Sequence, residues 1–436
     1  MKKIFLLAAL LFVSTISFSQ NVISLFGKAN QFFSLLESNK YDTAHLYFAE
    51  SEQAKVTPDN LKLLWTNIKT RLGNVEYIDP VQSKAQGEFF AVTVEGKFER
   101  DVQNFVLMFN KSEKLVGLYM PPKAAAYSKP FYADTSLYTE QMVYLKSGTH
   151  QLAAVVTVPK NKVNFPIVVF VHGSGPNDLD ETVGPNKPFK DLAAGLASKG
   201  IASLRYVKRT VLYAHEFQKA FTVKEEVIDD ALAAIAMAKT VKGVNVKSVY
   251  VLGHSLGGML APKLATLVPD LKGIALAAAP ARKLTDLIVD QNKYYVALSK
   301  DTTQALQLKL QEAITDLQKT RITALGNLKP DSVISGLPAS YWVDLNLYDQ
   351  VATAKKLVTT RIFVIQGGKD FQVSETDYEI WNTALGKKPN AKLKLYPEIN
   401  HLLSPQLEKG NAQQYQVPVN VSESVVVDLA AWIKTP

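Results

Sequence analysis

Gly253-His254-Ser255-Leu256-Gly257 follows the apolar run Ser248 to Leu252 and precedes a helical stretch that opens at Gly258. A serine between glycines at a strand-to-helix turn is lifted to the sheet edge, and the strained turn brings neighbouring backbone too close for side chains at the flanking positions. The following helix aims its N-terminal dipole and free N–H groups at Ser255, favouring negative charge that develops there. This is the setting of a covalent nucleophile. The chain has no cysteine, which excludes thiolate nucleophiles, disulfides and Cys-ligated zinc or iron–sulfur sites together.

A serine hydroxyl needs a base, and the chain has six histidines. His45 falls in a separate N-terminal region, and His150 in a turn between two strands. His172 and His254 flank glycines in motifs whose side chains point into supporting structure, and His215 lies on a loop. His401 alone follows the last strand, in Asn400-His401-Leu402. The acid belongs between serine and histidine in the chain. Ile362 to Gln366 reads as a strand, and Gly367-Gly368 turns Asp370 back toward a cleft. The order Ser255, Asp370, His401 makes a triad in which each member supports the others. For an oxyanion, the glycine-rich turn His172-Gly173-Ser174-Gly175-Pro176 offers the N–H of Ser174, or less readily of Gly173, to join that of Leu256. A phosphate-cradling loop would need the lysine and spacing of a nucleotide motif, which this turn lacks.

These residues need a scaffold, and the periodicity supplies one. Segments near 138–145, 151–158, 165–171, 201–206, 248–253, 273–279, 361–366 and 391–396 read as eight strands, the first two hairpin-like. Ile167 to Val171 is continuously apolar, as a parallel strand buried on both faces requires. The reading is an α/β fold with a mostly parallel, doubly wound sheet over residues 138–436. Leu284, Leu287, Ile288, Leu306, Leu310, Ile314 and Leu317 keep helical spacing between the sixth and seventh strands. An insertion there sits over the ligand-binding edge of the sheet, so residues about 281–347 are expected to form a helical cap.

Upstream the pattern differs. Val22, Phe26, Ala29, Phe33 and Leu36, then Leu61, Leu64 and Ile68 behind Thr57-Pro58, read as helices. Alternation at Phe90, Val92, Val94, at Phe105, Leu107, Phe109 and at Val116, Leu118, Met120 reads as antiparallel strands. A small α+β domain is expected over 20–122, then a linker over 123–137. Lys2 and Lys3, an apolar run from Ile4 to Val13 and the small residues of Ser17-Phe18-Ser19 predict a signal peptide over 1–19, hence a secreted or periplasmic protein. The apolar run is too short to span a bilayer, so no stable membrane insertion is expected. The formal charge of +9 is spread without blocks of like charge. Nucleic-acid binding, which wants clustered basic and stacking aromatic residues, is therefore not expected.

The glycine-rich turn with its continuation Asn177 to Glu181 and Gly184 to Phe189, the run Gly200 to Tyr206, the serine motif with Ala261-Pro262, and Asp370 to Val373 with Asn400 to Leu402 together resemble the α/β-hydrolases. They are most similar to two-domain secreted bacterial esterases of the serine-aminopeptidase-like group. The N-terminal region is similar to a small domain of unknown function, of cone-shaped α+β type, often fused ahead of such esterases. Relatives commonly carry an aspartate after the Arg-Tyr pair and a glycine a few residues on; here Val207 and Thr210 stand there. The resemblance implies a carboxylesterase-like serine hydrolase acting on a small-molecule ester through an acyl-enzyme, without metal or organic cofactor. An aminopeptidase is the alternative, its carboxylates drawn from Asp178, Asp180 and Glu181 or from Asp286 and Asp290. An inert ligand-binding protein is a third reading. Tyr294, Tyr295, Tyr341 and Trp342 are expected as aromatic walls of the substrate pocket.

Overall fold

The computed structural model describes residues 17–86, 89–121 and 126–435, and the chain divides into two compact units at Lys123. Of the signal peptide expected over 1–19, residues 1–16 lie outside the described residues.

In the first unit the helices Ser17–Glu37 and Pro58–Leu72 pack on a four-stranded antiparallel meander, β1 (Val75–Gln86), β2 (Phe89–Phe98), β3 (Val102–Phe109) and β4 (Leu115–Tyr119). Thr57 caps the second helix by accepting the Asn60 N–H at 3.2 Å, with Pro58 in the first turn. Phe32, Phe33, Trp65, Phe98 and Phe105 fill the space between the layers. In β4 the buried residue is Leu115, and Met120 is exposed. A register shift opposite Met108 and Phe109 displaces the alternation expected at Val116, Leu118 and Met120. β1 carries Pro80 among polar residues and gives no periodic signal.

The second unit is built on eight strands: β5 (Tyr138–Ser147), β6 (His150–Pro159), β7 (Phe165–Val171), β8 (Ala202–Tyr206), β9 (Val244–His254), β10 (Gly273–Ala277), β13 (Arg361–Gly367) and β14 (Ala391–Tyr396). Two short strands of the insertion, β11 (Val333–Ile334) and β12 (Leu337–Pro338), pair apart from them. The sheet order is β14-β13-β10-β9-β7-β8-β6-β5. β5, β6 and β8 pair antiparallel and every other neighbouring pair is parallel. Ile167, Val169 and Val171 enter one core and Val168 and Phe170 the other, so β7 is covered on both faces. The carboxyl ends of β7, β9, β10, β13 and β14 share one edge, where the loops bearing chemistry leave the sheet.

Residues 126–137 are not a free linker. Tyr127 donates to Asp191 at 2.9 Å, Tyr132 to the Val421 carbonyl at 2.7 Å, and Ala133 is buried. Two phenols with buried acceptors anchor this segment to the hydrolase unit, a pairing that its Ser, Lys and Pro composition concealed. Residues 122–125 lie outside the described part.

Candidate active site

Ser255 caps the helix Leu256–Leu267 with φ 51° and ψ −117°. A non-glycine residue there costs on the order of 1–3 kcal/mol and persists only where its surroundings impose it. They do so here: a Cβ at Gly253 would lie 2.1 Å from the Gly257 carbonyl oxygen, and one at Gly257 would lie 2.2 Å from that of Val171. The Ser255 N–H is anchored to the Ala277 carbonyl at 2.9 Å. β7, β9 and β10 thus hold the turn from three sides.

The loops after β13 and β14 are joined to each other. Lys369 N–H donates to the Ile399 carbonyl at 2.9 Å, and Gly367 packs so closely that its Cβ would meet that same oxygen at 2.3 Å. Asp370 is buried, and its Oδ1 accepts the N–H groups of Gln372 at 2.8 Å and Val373 at 2.9 Å. Its Oδ2 lies 2.7 Å from His401 Nδ1. A proton held between those atoms leaves His401 Nε2 free to accept one. His401 packs against His254, the residue before Ser255, with ring centres 4.7 Å apart and the planes tilted by 53°. Among the described residues no hydrogen bond joins Ser255 Oγ to His401, a contact that substrate commonly tightens in such sites.

Of the two donors considered in the glycine-rich turn, Gly173 is corrected: its N–H donates to buried Glu181 Oε1 at 2.6 Å. Gly175 N–H is likewise taken, by Glu226 Oε1 at 2.9 Å. Ser174 lies between them and lines the same cavity as Ser255 and Leu256. Leu256 N–H belongs to the first helical turn and has no intrahelical acceptor. His172 Nε2 donates to supporting backbone, the Asp178 carbonyl, at 2.9 Å. Behind the serine, His254 Nδ1 lies 3.1 Å from Glu181 Oε2 and its Nε2 2.8 Å from the His401 carbonyl. Burial opposes both charges of this pair, but their mutual attraction prevails, raising the pKa of His254 and lowering that of Glu181.

A cavity of about 420 Å³ opens beside Ser255. Leu284, Leu287, Ile288 and Gln291 of the cap helix Leu284–Ser299, with Leu337 and Tyr341, form one wall; Phe217, Phe221, Met259 and Val373 form others. Thr210 also faces it. Of the four expected aromatic walls, only Tyr341 lines the cavity. Trp342 is wholly buried and donates to the Ile334 carbonyl at 2.8 Å. Tyr294 stacks on Phe371 and donates to the Gly410 carbonyl at 2.9 Å, while Tyr295 packs edgewise on Phe371. Helical spacing gives the face of a residue relative to its own helix, and these three point to neighbours other than the cavity.

The carboxylates suggested for substrate are corrected too. Asp178 accepts from the N–H groups of Asp180 and Thr182, each at 3.0 Å, and from Thr182 Oγ1 at 2.7 Å. Asp180 is bound by Arg205 Nε at 2.9 Å and Lys187 Nζ at 3.2 Å. Asp286 pairs with Arg321, and Asp290 with Arg282. Their partners satisfy them, and none lines the cavity. The acid that does line it is Glu226, which the sequence analysis missed; nothing in the helical run around it sets it apart.

A mostly parallel eight-stranded sheet, a serine on a strained turn after β9 and an acid–histidine pair after β13 and β14 define an α/β-hydrolase. Residues 187–407 match the family described as serine aminopeptidase, S33, and residues 29–118 match a protein family of unknown function, DUF3887. The chain belongs to this S33 family of α/β-hydrolases. It is 34% identical to the esterase EstD of Thermotoga maritima over 416 residues, 94% of this chain and 97% of that one. Solved structures similar to it include Est1E from Butyrivibrio proteoclasticus (16% identity, TM-score 0.43, 67% of this chain and 99% of that one). Another is the esterase domain of a Rhodothermus marinus protein (16% identity, TM-score 0.42, 67% and 97%).

Proposed function

We propose that the protein hydrolyses carboxylic esters with an apolar acyl group through an acyl-enzyme on Ser255. The observation that carries this is the 2.7 Å contact between Asp370 and His401 on joined loops at the edge where Ser255 emerges. His401 Nε2 takes the serine proton as Oγ attacks the ester carbonyl, the Leu256 and Ser174 N–H groups hold the oxyanion, and His401 returns the proton to the leaving alcohol. Water repeats the sequence to release the acid. The mainly apolar lining of the cavity suits an acyl chain, and the similarity to esterase EstD supports an ester substrate. The aminopeptidase reading loses its proposed amine partners, since Asp178 and Asp180 are bound within the protein.

A fluorophosphonate should label wild type on Ser255, and Ser255→Ala should neither label nor turn over a nitrophenyl butyrate. Turnover by folded Ser255→Ala within about twofold of wild type would refute the assignment, because loss of a triad nucleophile costs orders of magnitude. A several-fold preference for aminoacyl anilides over esters would restore the peptidase reading. We further propose export, with residues 1–19 removed; sequencing of the exported protein should begin at Gln20, and an intact Met1 on it would refute cleavage.

A further inference from the structure

Lys208 and Glu226 form an ion pair at 2.7 Å with side chains only 2% and 5% exposed. Lysine is seldom buried, and a buried pair of this kind is commonly no more stabilising than apolar residues of similar volume. Its contacts indicate a different use. Lys208 Nζ also donates to the Gly173 carbonyl at 2.8 Å, and that oxygen shares one peptide unit with the Ser174 N–H. A trans peptide is planar with C=O and N–H pointing in opposite directions, so a cation fixed on the oxygen fixes the aim of the N–H. Glu226 completes the clamp: Oε1 accepts Gly175 N–H at 2.9 Å, and Oε2 accepts the Tyr341 hydroxyl from the cap at 2.7 Å. On the other side Glu181 takes the Gly173 N–H at 2.6 Å. The peptide groups flanking Ser174 are therefore bound, and its own N–H is left for the substrate.

We propose that Lys208, Glu226 and Tyr341 are positioning residues that hold the Gly173–Ser174 peptide with its N–H aimed at the oxyanion, the cap taking part through the Tyr341 hydroxyl. This rests on the serine-esterase reading. Without Lys208 the Gly173 carbonyl keeps only a 3.3 Å contact from Asn177 Nδ2, and the peptide is free to rotate. Lys208→Met then removes one of two oxyanion donors, and Tyr341→Phe loosens the carboxylate that holds the ammonium.

The test compares an ester with its thionoester, whose tetrahedral intermediate places charge on sulfur, a weak hydrogen-bond acceptor that gains little from an N–H donor. Lys208→Met should lower kcat for the ester about a hundredfold, with KM within about twofold, the usual cost of one oxyanion donor. The thionoester rate should fall by less than about fivefold. Tyr341→Phe should show the same asymmetry with about a fivefold loss, and it carries the test alone if Lys208→Met does not fold. A folded variant with wild-type kcat, or one that loses both substrates equally, overturns the proposal, since a merely structural role moves both. Ser255→Ala measured alongside separates the two claims: if it retains turnover, the esterase reading fails instead.

Discussion

Replacing Asp370 by asparagine separates the role of the acid's geometry from that of its mere presence. Oδ1 accepts two backbone N–H groups, from Gln372 at 2.8 Å and Val373 at 2.9 Å, and Oδ2 faces His401 Nδ1 at 2.7 Å. An asparagine must keep its carbonyl oxygen at the Oδ1 position, because the reverse orientation sets its NH₂ against both backbone donors. The NH₂ then stands where Oδ2 stood and donates to Nδ1. His401 is driven to the tautomer with its proton on Nε2, and the nitrogen facing the serine can no longer accept one. The expected loss in kcat is about ten-thousandfold, as for this exchange in other serine hydrolases. Stability should fall only by about 1.5–3 kcal/mol, one charge-assisted hydrogen bond. Asp370→Ala should be equally inactive but less stable than Asp370→Asn by roughly 2 kcal/mol, because it strands two backbone N–H groups, that of Val373 buried and that of Gln372 partly so. Steady-state hydrolysis of a nitrophenyl ester between pH 5 and 10 and urea denaturation of the three proteins measure both quantities. If Asp370→Asn stays within about tenfold of wild type while Ser255→Ala is dead, another group orients His401 and the tautomer argument is wrong.

Ile288→Trp should fill part of the cavity beside Ser255. Its kcat/KM for an octanoate relative to an acetate ester should drop about tenfold or more, each buried methylene being worth about 0.8 kcal/mol; an unchanged ratio would place the acyl chain elsewhere. His172 is buried and its pKa is pulled down to about 4, chiefly by burial and further by Lys208, with Glu181 and Asp178 acting in the opposite sense. The unfolded chain, with a pKa near 6.5, therefore takes up the proton first. The stability that neutral His172 allows is present above about pH 6.5 and is lost as pH falls through about 4, roughly 3 kcal/mol at about 1.4 kcal/mol per pH unit. His172→Asn, able to donate to the same Asp178 carbonyl, should lack that share of the acid loss in urea midpoints taken at pH 7 and pH 4.5. Parallel slopes would show that His172 is not the group titrating.

Ser255, Asp370 and His401, the proposed nucleophile, acid and base, were legible because each lies where strand, turn and glycine signals meet within a few residues. Gly253 to Gly257 announces its own geometry, and Gly367-Gly368 does the same for Asp370. The eight strands were legible for a related reason, since burial on both faces leaves continuous apolar runs such as Ile167 to Val171. What resisted reading depends on partners distant in the chain. Asp180 looks free until Arg205 is brought beside it by the pairing of β8, and Glu226 looks like one more helical acid until Lys208 and, 115 residues away, Tyr341 close around it. Asp178 is a partial exception. An aspartate that accepts the N–H groups two and four residues on is a local turn, and the short run Asp178 to Thr182 could have been read as one.

The two failures have one physical source. A carboxylate close to an active site in sequence invites a functional role, yet the α/β fold brings helices and loops from the whole chain to that edge. Cations reach Asp180 first, and Asp178 is taken by its own turn. Asp178 and Asp180 therefore hold the chain that continues from the Ser174 loop, through Thr182, Lys187 and Arg205. Glu226 works on the same loop from the cavity side through Lys208. Near this serine Glu181 and Glu226 act on backbone, so on the proposed reading specificity falls to the apolar wall of the cap and acid chemistry to Asp370.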